Sequence, residues 1–266
     1  MMNNNIRFEL SFKNISQLEK KLIFCKSNNI KNINIPCKGL IKKELFNSTI
    51  NYISKNFQEF NVTYHYSLYH QYSKNKNNSY QDFLDFLKNS HINTNHEILL
   101  VSGSKKKKNF DAIDVLGYLK KEKNLKTKLG IAYNPYLKKF YKVSSERERL
   151  DRKISTGLIN SIWLQFGTVV QVLQNEVTYL KKISKYKKLN LFGSLLIPSK
   201  QFIARFKFRP WKGVHISEKY LYSLEEFFVF TRDLVRFYEA NNITPVIETD
   251  FSSSDKLDSI FSFFRK

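Results

Sequence analysis

Residues 146–167 read ERERLDRKISTGLINSIWLQFG. A charge-dense helical pattern, whose apolar positions Val143, Leu150 and Ile154 share one face, passes Gly157 and becomes an apolar, aromatic run. That run ends on one amide, Gln165, and a glycine, Gly167. A helix leading straight into a buried-looking strand is one half of a βα repeat.

The same alternation continues in both directions. Strand patterns fall at 6–12, 31–36, 61–67, 97–102, 127–133, 159–166, 189–196 and 242–248. Helical patterns lie between them at 15–28, 43–57, 80–90, 109–122, 144–156, 168–183, 199–206 and 217–240, and a last one at 253–264 follows the eighth strand. The polar tract 73–79 and the lysine run 105–108 read as loops. Strict alternation argues for a parallel sheet of βα units. Eight units in 266 residues fit a single (β/α)8 TIM barrel spanning 1–266. A doubly wound open sheet is the competitor. It usually carries a Gly-rich phosphate loop after its first strand, and here that strand leads into SFKNIS.

Composition bounds the rest. The chain is 42% hydrophobic, with 23 Phe and 15 Tyr, enough for a large core. No apolar run reaches the roughly 18 residues that span a bilayer. A strand pattern begins by residue 6, which leaves no room for a leader and predicts a cytoplasmic protein. Cys25 and Cys37 lack metal-ligand spacing and are expected to be reduced. Lys and Arg exceed Asp and Glu by 45 to 23, a net charge of +22. An anionic partner is one explanation. The codon bias of an AT-rich genome is the other, since Lys, Asn, Ile, Phe and Tyr are abundant together. A nucleic-acid-binding protein would group basic and aromatic residues on one module; here the lysines are scattered along the chain.

A barrel of this kind carries its site at the strand C-termini. Polar groups recur there: Glu9, Pro36-Cys37-Lys38-Gly39, His65 and Ser67 with His70 beyond, Ser102-Gly103-Ser104, Tyr133-Asn134-Pro135, Gln165, Pro198-Ser199-Lys200, and Glu248-Thr249-Asp250. Left buried and unpaired, each costs about 1–3 kcal/mol. A ligand site explains the pattern; loop ends that happen to be polar mimic it. Glu9, between Phe8 and Leu10, is expected to have a raised pKa and to serve as a general acid if it faces the interior. Pointing outward or pairing with a lysine is the alternative.

Together these stretches resemble the methylenetetrahydrofolate reductase family of flavin-linked (β/α)8 barrels. Phe8-Glu9-Leu10 is similar to its Phe-Glu-Phe motif, His65 in TYHYS to a strand-three His, and Ala132-Tyr133-Asn134-Pro135 to an Ala-Tyr-Pro motif. Leu150-Asp151-Arg152-Lys153-Ile154-Ser155-Thr156-Gly157-Leu158 followed by Trp163-Leu164-Gln165-Phe166 matches most closely. Phe192 to Pro198 resembles the family's Pro-Gly-Ile-Leu-Pro segment. The resemblance implies FAD as cofactor, NADH or NADPH as reductant, and reduction of 5,10-methylenetetrahydrofolate to 5-methyltetrahydrofolate by a ping-pong mechanism. It makes Glu9 the proton donor and lets Gln165 read the pterin. It gives FAD contacts to His65, Gly103, Ser104, Tyr133, Glu146, Arg149, Arg152 and Lys153. For Arg149, Arg152 and Lys153 the local alternative is an exposed helix face with pairs such as Glu148–Arg152. The partners implied are a folate and a nicotinamide nucleotide, with neither nucleic acid nor membrane; a homo-oligomer is compatible with it.

Two departures keep another class open. Val101-Ser102-Gly103-Ser104 stands where the family has Arg-Gly-Asp, and Pro36 stands at a Thr position. The other class is a divergent flavin- or folate-binding barrel without the usual reductase activity, or one acting on another C1 carrier. Lys105 to Lys108 could meet a polyglutamate tail or flavin phosphates, or form a solvated loop. The basic, aromatic stretch 204–217 lies where the family contacts folate and nicotinamide, with no role assigned within it.

Overall fold

Of the 266 residues, the computed structural model describes 6–38, 41, 43–89, 96–102, 110–122, 127–139, 143–183 and 188–265. The elements alternate as the sequence predicts: β1 (Arg7–Glu9), α1 (Ile15–Ser27), β2 (Asn32–Ile35), α2 (Lys43–Asn56), β3 (Asn61–Ser67), α3 (Lys76–Asn89), β4 (Glu97–Val101), α4 (Ala112–Leu119), β5 (Lys128–Tyr133), α5 (Val143–Ile154), β6 (Ile159–Leu164), α6 (Val170–Lys182), β7 (Asn190–Leu195), α7 (Lys200–Phe208), α8 (Glu218–Tyr222), α9 (Leu224–Ala240), β8 (Ile243–Ile247) and α10 (Ser254–Phe261). Single 3₁₀ turns occupy Pro135–Lys139 and Ser262–Phe264. The strands form a closed barrel in sequence order, a (β/α)8 fold.

Two boundaries differ from the sequence reading, each because of a cap. The tract 73–79 was expected to be a loop, yet α3 begins at Lys76. Asn75 sets it: its side-chain oxygen accepts from the Asn78 N–H at 2.8 Å, and its carbonyl accepts from the Ser79 N–H. The predicted helix 217–240 is broken at Ser223, which is extended (φ −123°, ψ 109°) and accepts from the Glu226 N–H. One serine therefore ends α8 and starts α9. At the C-terminal end of α5, Gly157 takes φ +76°, a conformation that glycine enters without strain, and turns the chain into β6.

The described residues gather into two compact units, Met1–Ala132 with Arg149–Ser161, and Tyr133–Glu148 with Ile162–Lys266. In the first unit the strands sort their side chains by alternation. Arg7 is buried: Nε donates to Asn34 Oδ1 at 2.9 Å, and Nη2 lies 2.8–2.9 Å from the Ile33 and Asn61 carbonyls and Thr63 Oγ1. Burial pulls the guanidinium down to about 10, opposed by Glu97, so it stays charged at neutral pH. Glu97 in turn accepts from Ser161 Oγ at 2.5 Å. The opposite faces of β1–β3 carry Phe8, Ile33, Ile35, Val62, Tyr64 and Tyr66, all buried. There Phe46 of α2 meets Tyr64 edge-on at 6.2 Å, and Phe83 and Phe86 of α3 meet Tyr66 at 4.7 and 4.8 Å. Geometry of this kind adds to the area buried.

In the second unit, Trp163 of β6 stacks on Phe192 of β7 at 4.1 Å. Phe166 packs on Phe227 and Phe230 of α9. The Tyr238 hydroxyl of α9 donates to the Ser194 carbonyl of β7 at 3.0 Å. A Cβ on Gly167 would lie 2.5 Å from the Tyr136 ring, whose hydroxyl donates to the Gly167 carbonyl. Glycine thus closes the opening stretch because a ring lies against its backbone.

Candidate functional site

In the first unit, the C-terminal ends of β1, β2 and β3 bring three ionisable side chains together. Glu9 closes β1 and is 6% exposed. Lys38, three residues past β2, donates from Nζ to Glu9 Oε1. His65 of β3 holds Nδ1 3.7 Å from Glu9 Oε2. The pairing follows from register, since Glu9 lies opposite Asn34 and Asn34 opposite Thr63, so residue 38 returns over β1 and residue 65 lies one inward step beyond 63. Beside them Gln71 Nε2 donates to Cys37 Sγ at 3.4 Å. Burial pushes that thiol up, which keeps it protonated and unreactive.

The expected raised pKa of Glu9 is corrected. Burial pushes it up, but the charge of Lys38, then His65 and the Lys38 hydrogen bond, outweigh burial and hold Glu9 below the usual carboxylate range. Burial pushes His65 down to about 4, helped by Lys38 and Arg7 and opposed by Glu9. At neutral pH the cluster is therefore a buried carboxylate, an ammonium and a neutral imidazole. Such a carboxylate accepts hydrogen bonds; it donates a proton only after Lys38 leaves it.

Glu9 has a depressed folded pKa, so its stabilisation is present above its unfolded value and lost as pH falls through the folded one. His65 is depressed too: between about 6.5 and about 4 the unfolded chain binds more protons, so stability is lost as pH falls across that window. Lys38→Met removes the main opposition to burial. We expect Glu9 to titrate above the ordinary carboxylate range in this variant, read from its protonated-carboxyl infrared band. A Glu9 that still titrates below that range in Lys38→Met would contradict the assignment.

The other residues singled out from the sequence fall into separate settings. Arg149, Arg152 and Lys153 lie in the first unit. Arg149 Nη2 pairs with Asp111 at 2.8 Å, the residue that caps α4. Lys153 is 4% exposed and donates to the Ala132 carbonyl at 3.3 Å, while Arg152 is exposed. Tyr133, Glu146 and Gln165 lie in the second unit. The Tyr133 hydroxyl donates to Glu176 Oε2 of α6 at 2.5 Å, and Arg147 grips both Glu176 oxygens at 2.7 and 3.0 Å. The Gln165 N–H donates to the Tyr133 carbonyl at 2.9 Å, and its Oε1 accepts from the Phe166 N–H. Glu146 and Gln165 are half-buried. Gly103, Ser104 and Lys105 to Lys108 lie outside the described residues.

Glu9 and His65 are thus brought together. Tyr133, Arg149 and Lys153, which the resemblance gives to a flavin, aim their polar atoms at Glu176, Asp111 and a backbone carbonyl. Also in the second unit, Ser194 Oγ of β7 donates to Glu248 Oε1 past β8 at 2.6 Å. Sequence reasoning left Lys38, Arg147 and Glu176 without roles. Lys38 carried a positional signal, because it follows β2, the parallel neighbour of β1. Among the described residues no group of three or more His, Cys, Asp or Glu is placed to hold a metal, and no helix is long and apolar enough to cross a membrane.

No protein-family model matches the chain, and no curated protein matches it by sequence. Solved structures do match the fold. An uncharacterised protein from Clostridium thermocellum, described as binding two copies of 5-methyl-5,6,7,8-tetrahydrofolic acid, is 15% identical with a TM-score of 0.64, covering 97% of this chain and 92% of its own. The catalytic domain of a hyperthermophilic chitinase from Pyrococcus furiosus is 10% identical with a TM-score of 0.55, covering 92% and 83%. At these identities the likeness is one of fold.

Proposed function

We propose that this chain is a (β/α)8 barrel that binds a reduced folate, with Glu9 as the principal polar contact. The observation that carries the reading is the buried, ionised Glu9 between Lys38 and His65 at the end of β1. A reduced pterin presents adjacent N–H donors along one edge. A carboxylate is acceptor-only and takes two such donors at once, with charge-assisted strength. The similar Clostridium thermocellum barrel, which binds a methyltetrahydrofolate, supports the same ligand class.

The second reading adds chemistry: an NADH- or NADPH-dependent reductase of 5,10-methylenetetrahydrofolate that uses FAD. It is favoured by the order of the sequence motifs and by a carboxyl placed where the resemblance puts a proton donor. A flavin, when bound, supplies the hydride transfer. This chain supplies a proton at the Glu9 carboxyl, once Lys38 has been displaced. Against it stand the commitments of Tyr133, Arg149 and Lys153.

Calorimetric titration of the purified full chain with 5-methyltetrahydrofolate tests the first reading. Saturable binding is expected; no heat up to millimolar ligand would remove it. Absorbance in the flavin bands, bleached anaerobically by NADH or NADPH and restored by methylenetetrahydrofolate, would establish the second. A colourless protein that binds the folate leaves the binding reading alone.

A further inference from the structure

Three helices, α7, α8 and α9, join β7 to β8. The last of them carries the packing against the strands, through Tyr238 on the Ser194 carbonyl. The excursion before it has a different character. Between Lys200 and Tyr222 there are six Lys or Arg and one acid, Glu218. At its tip Phe208 is 91% exposed, Tyr222 78% and Trp211 41%. Arg205, Lys207, Arg209 and Lys212 are exposed around them.

This outward presentation is built. Trp211 packs edge-on against Phe202 and Phe206 at 5.4 and 6.3 Å. Lys207 Nζ sits 4.1 Å from the Tyr222 ring centroid, joining the end of α7 to the end of α8. Rings so exposed contribute little to folding, and an aromatic tip ringed by cations is the pattern that marks an interaction site.

We propose that the α7–α8 tip is a docking surface for an anionic lipid bilayer, with Phe208, Trp211 and Tyr222 entering the headgroup boundary and the surrounding Arg and Lys facing lipid phosphates. The excess of five positive charges over the excursion complements such a surface. Amphipathic aromatic side chains favour that boundary. Single-stranded nucleic acid is also anionic, but it binds through open ring faces. Here Trp211 is packed on its neighbours and one face of Tyr222 is covered by Lys207, so of the three rings Phe208 alone stands open. Insertion needs only ring volume and edges, which remain exposed. The proposal does not draw on the folate reading.

The test is co-sedimentation of the full chain with vesicles of phosphatidylcholine containing 30% phosphatidylglycerol, beside pure phosphatidylcholine vesicles and a 20-nucleotide single-stranded DNA. We expect binding to the anionic vesicles only, weakened at least tenfold by F208S/Y222S and, separately, by K207Q/R209Q. All four positions are exposed, so both variants should fold; an unchanged thermal midpoint checks this. Absence of vesicle binding overturns the proposal. So does vesicle binding that both variants leave intact, which would assign it to the overall charge of +22. Tighter binding to the oligonucleotide, lost in F208S/Y222S, would make the surface a nucleic-acid site instead.

Discussion

Arg7→Ala is expected to remove about 3–5 kcal/mol of folding stability, the loss typical of breaking a buried ionic network from one side. Arg7 satisfies Asn34, Thr63 and two backbone carbonyls within the first unit, and its charge faces Glu97. Without it those acceptors lose their donor, and Glu97 keeps Ser161 and the charge of Lys128. Urea denaturation followed by circular dichroism reads the change directly. The double variant Arg7→Leu/Glu97→Gln should recover part of the loss, because it also removes the stranded carboxyl. A loss below about 1 kcal/mol for Arg7→Ala would mean that the network is dispensable.

Glu9→Gln is expected to weaken 5-methyltetrahydrofolate binding at least about 100-fold. Each hydrogen bond to a charged group contributes about 1.5–3 kcal/mol, and two are at stake against a factor of ten per 1.4 kcal/mol. The amide keeps one acceptor but turns a donor toward the ligand. It also removes the carboxylate charge that Lys38 faces. Wild-type affinity should fall as pH drops through the depressed titration of Glu9, and the variant should lack that limb. Should the reductase reading hold, the same variant should keep nicotinamide oxidation and lose the folate half-reaction. An unchanged dissociation constant, with both half-reactions at wild-type rate where they exist, would remove Glu9 from the site.

The barrel was legible because its strands are short apolar runs separated by amphipathic helices, a signal carried by period alone. All eight strands fall within the stretches that the sequence marks. Of the cluster at the ends of β1 to β3, two members, Glu9 and His65, were singled out in the sequence. The environment of Glu9 was not, because Lys38 is one of 45 basic residues and only strand register brings it over β1. Parity gives the direction of Tyr133. It shares a strand face with Leu129 and Ile131, both fully buried, and so turns toward the Glu176 carboxylate of α6. The match to an Ala-Tyr-Pro motif hid that. Parity would also have found Arg7, two residues before Glu9 on the same face. The break at Ser223 was hidden because a serine inside a strongly apolar helical pattern looks like a tolerated surface position.

The chain leaves the first unit after Ala132, comes back at Arg149 and departs again after Ser161. No single scission therefore yields either half intact. A fragment ending at residue 132 would lack the Lys153, Asn160 and Ser161 side chains that bond Ala132, Leu129 and Glu97. A fragment of residues 1–132 should therefore stay unfolded alone, and fold only when residues 149–161 are supplied in trans, as a peptide or within the complementary piece. Gene fusion or recombination at the midpoint would likewise inherit an unfinished edge, so the stitch makes the whole barrel, and not its half, the heritable module.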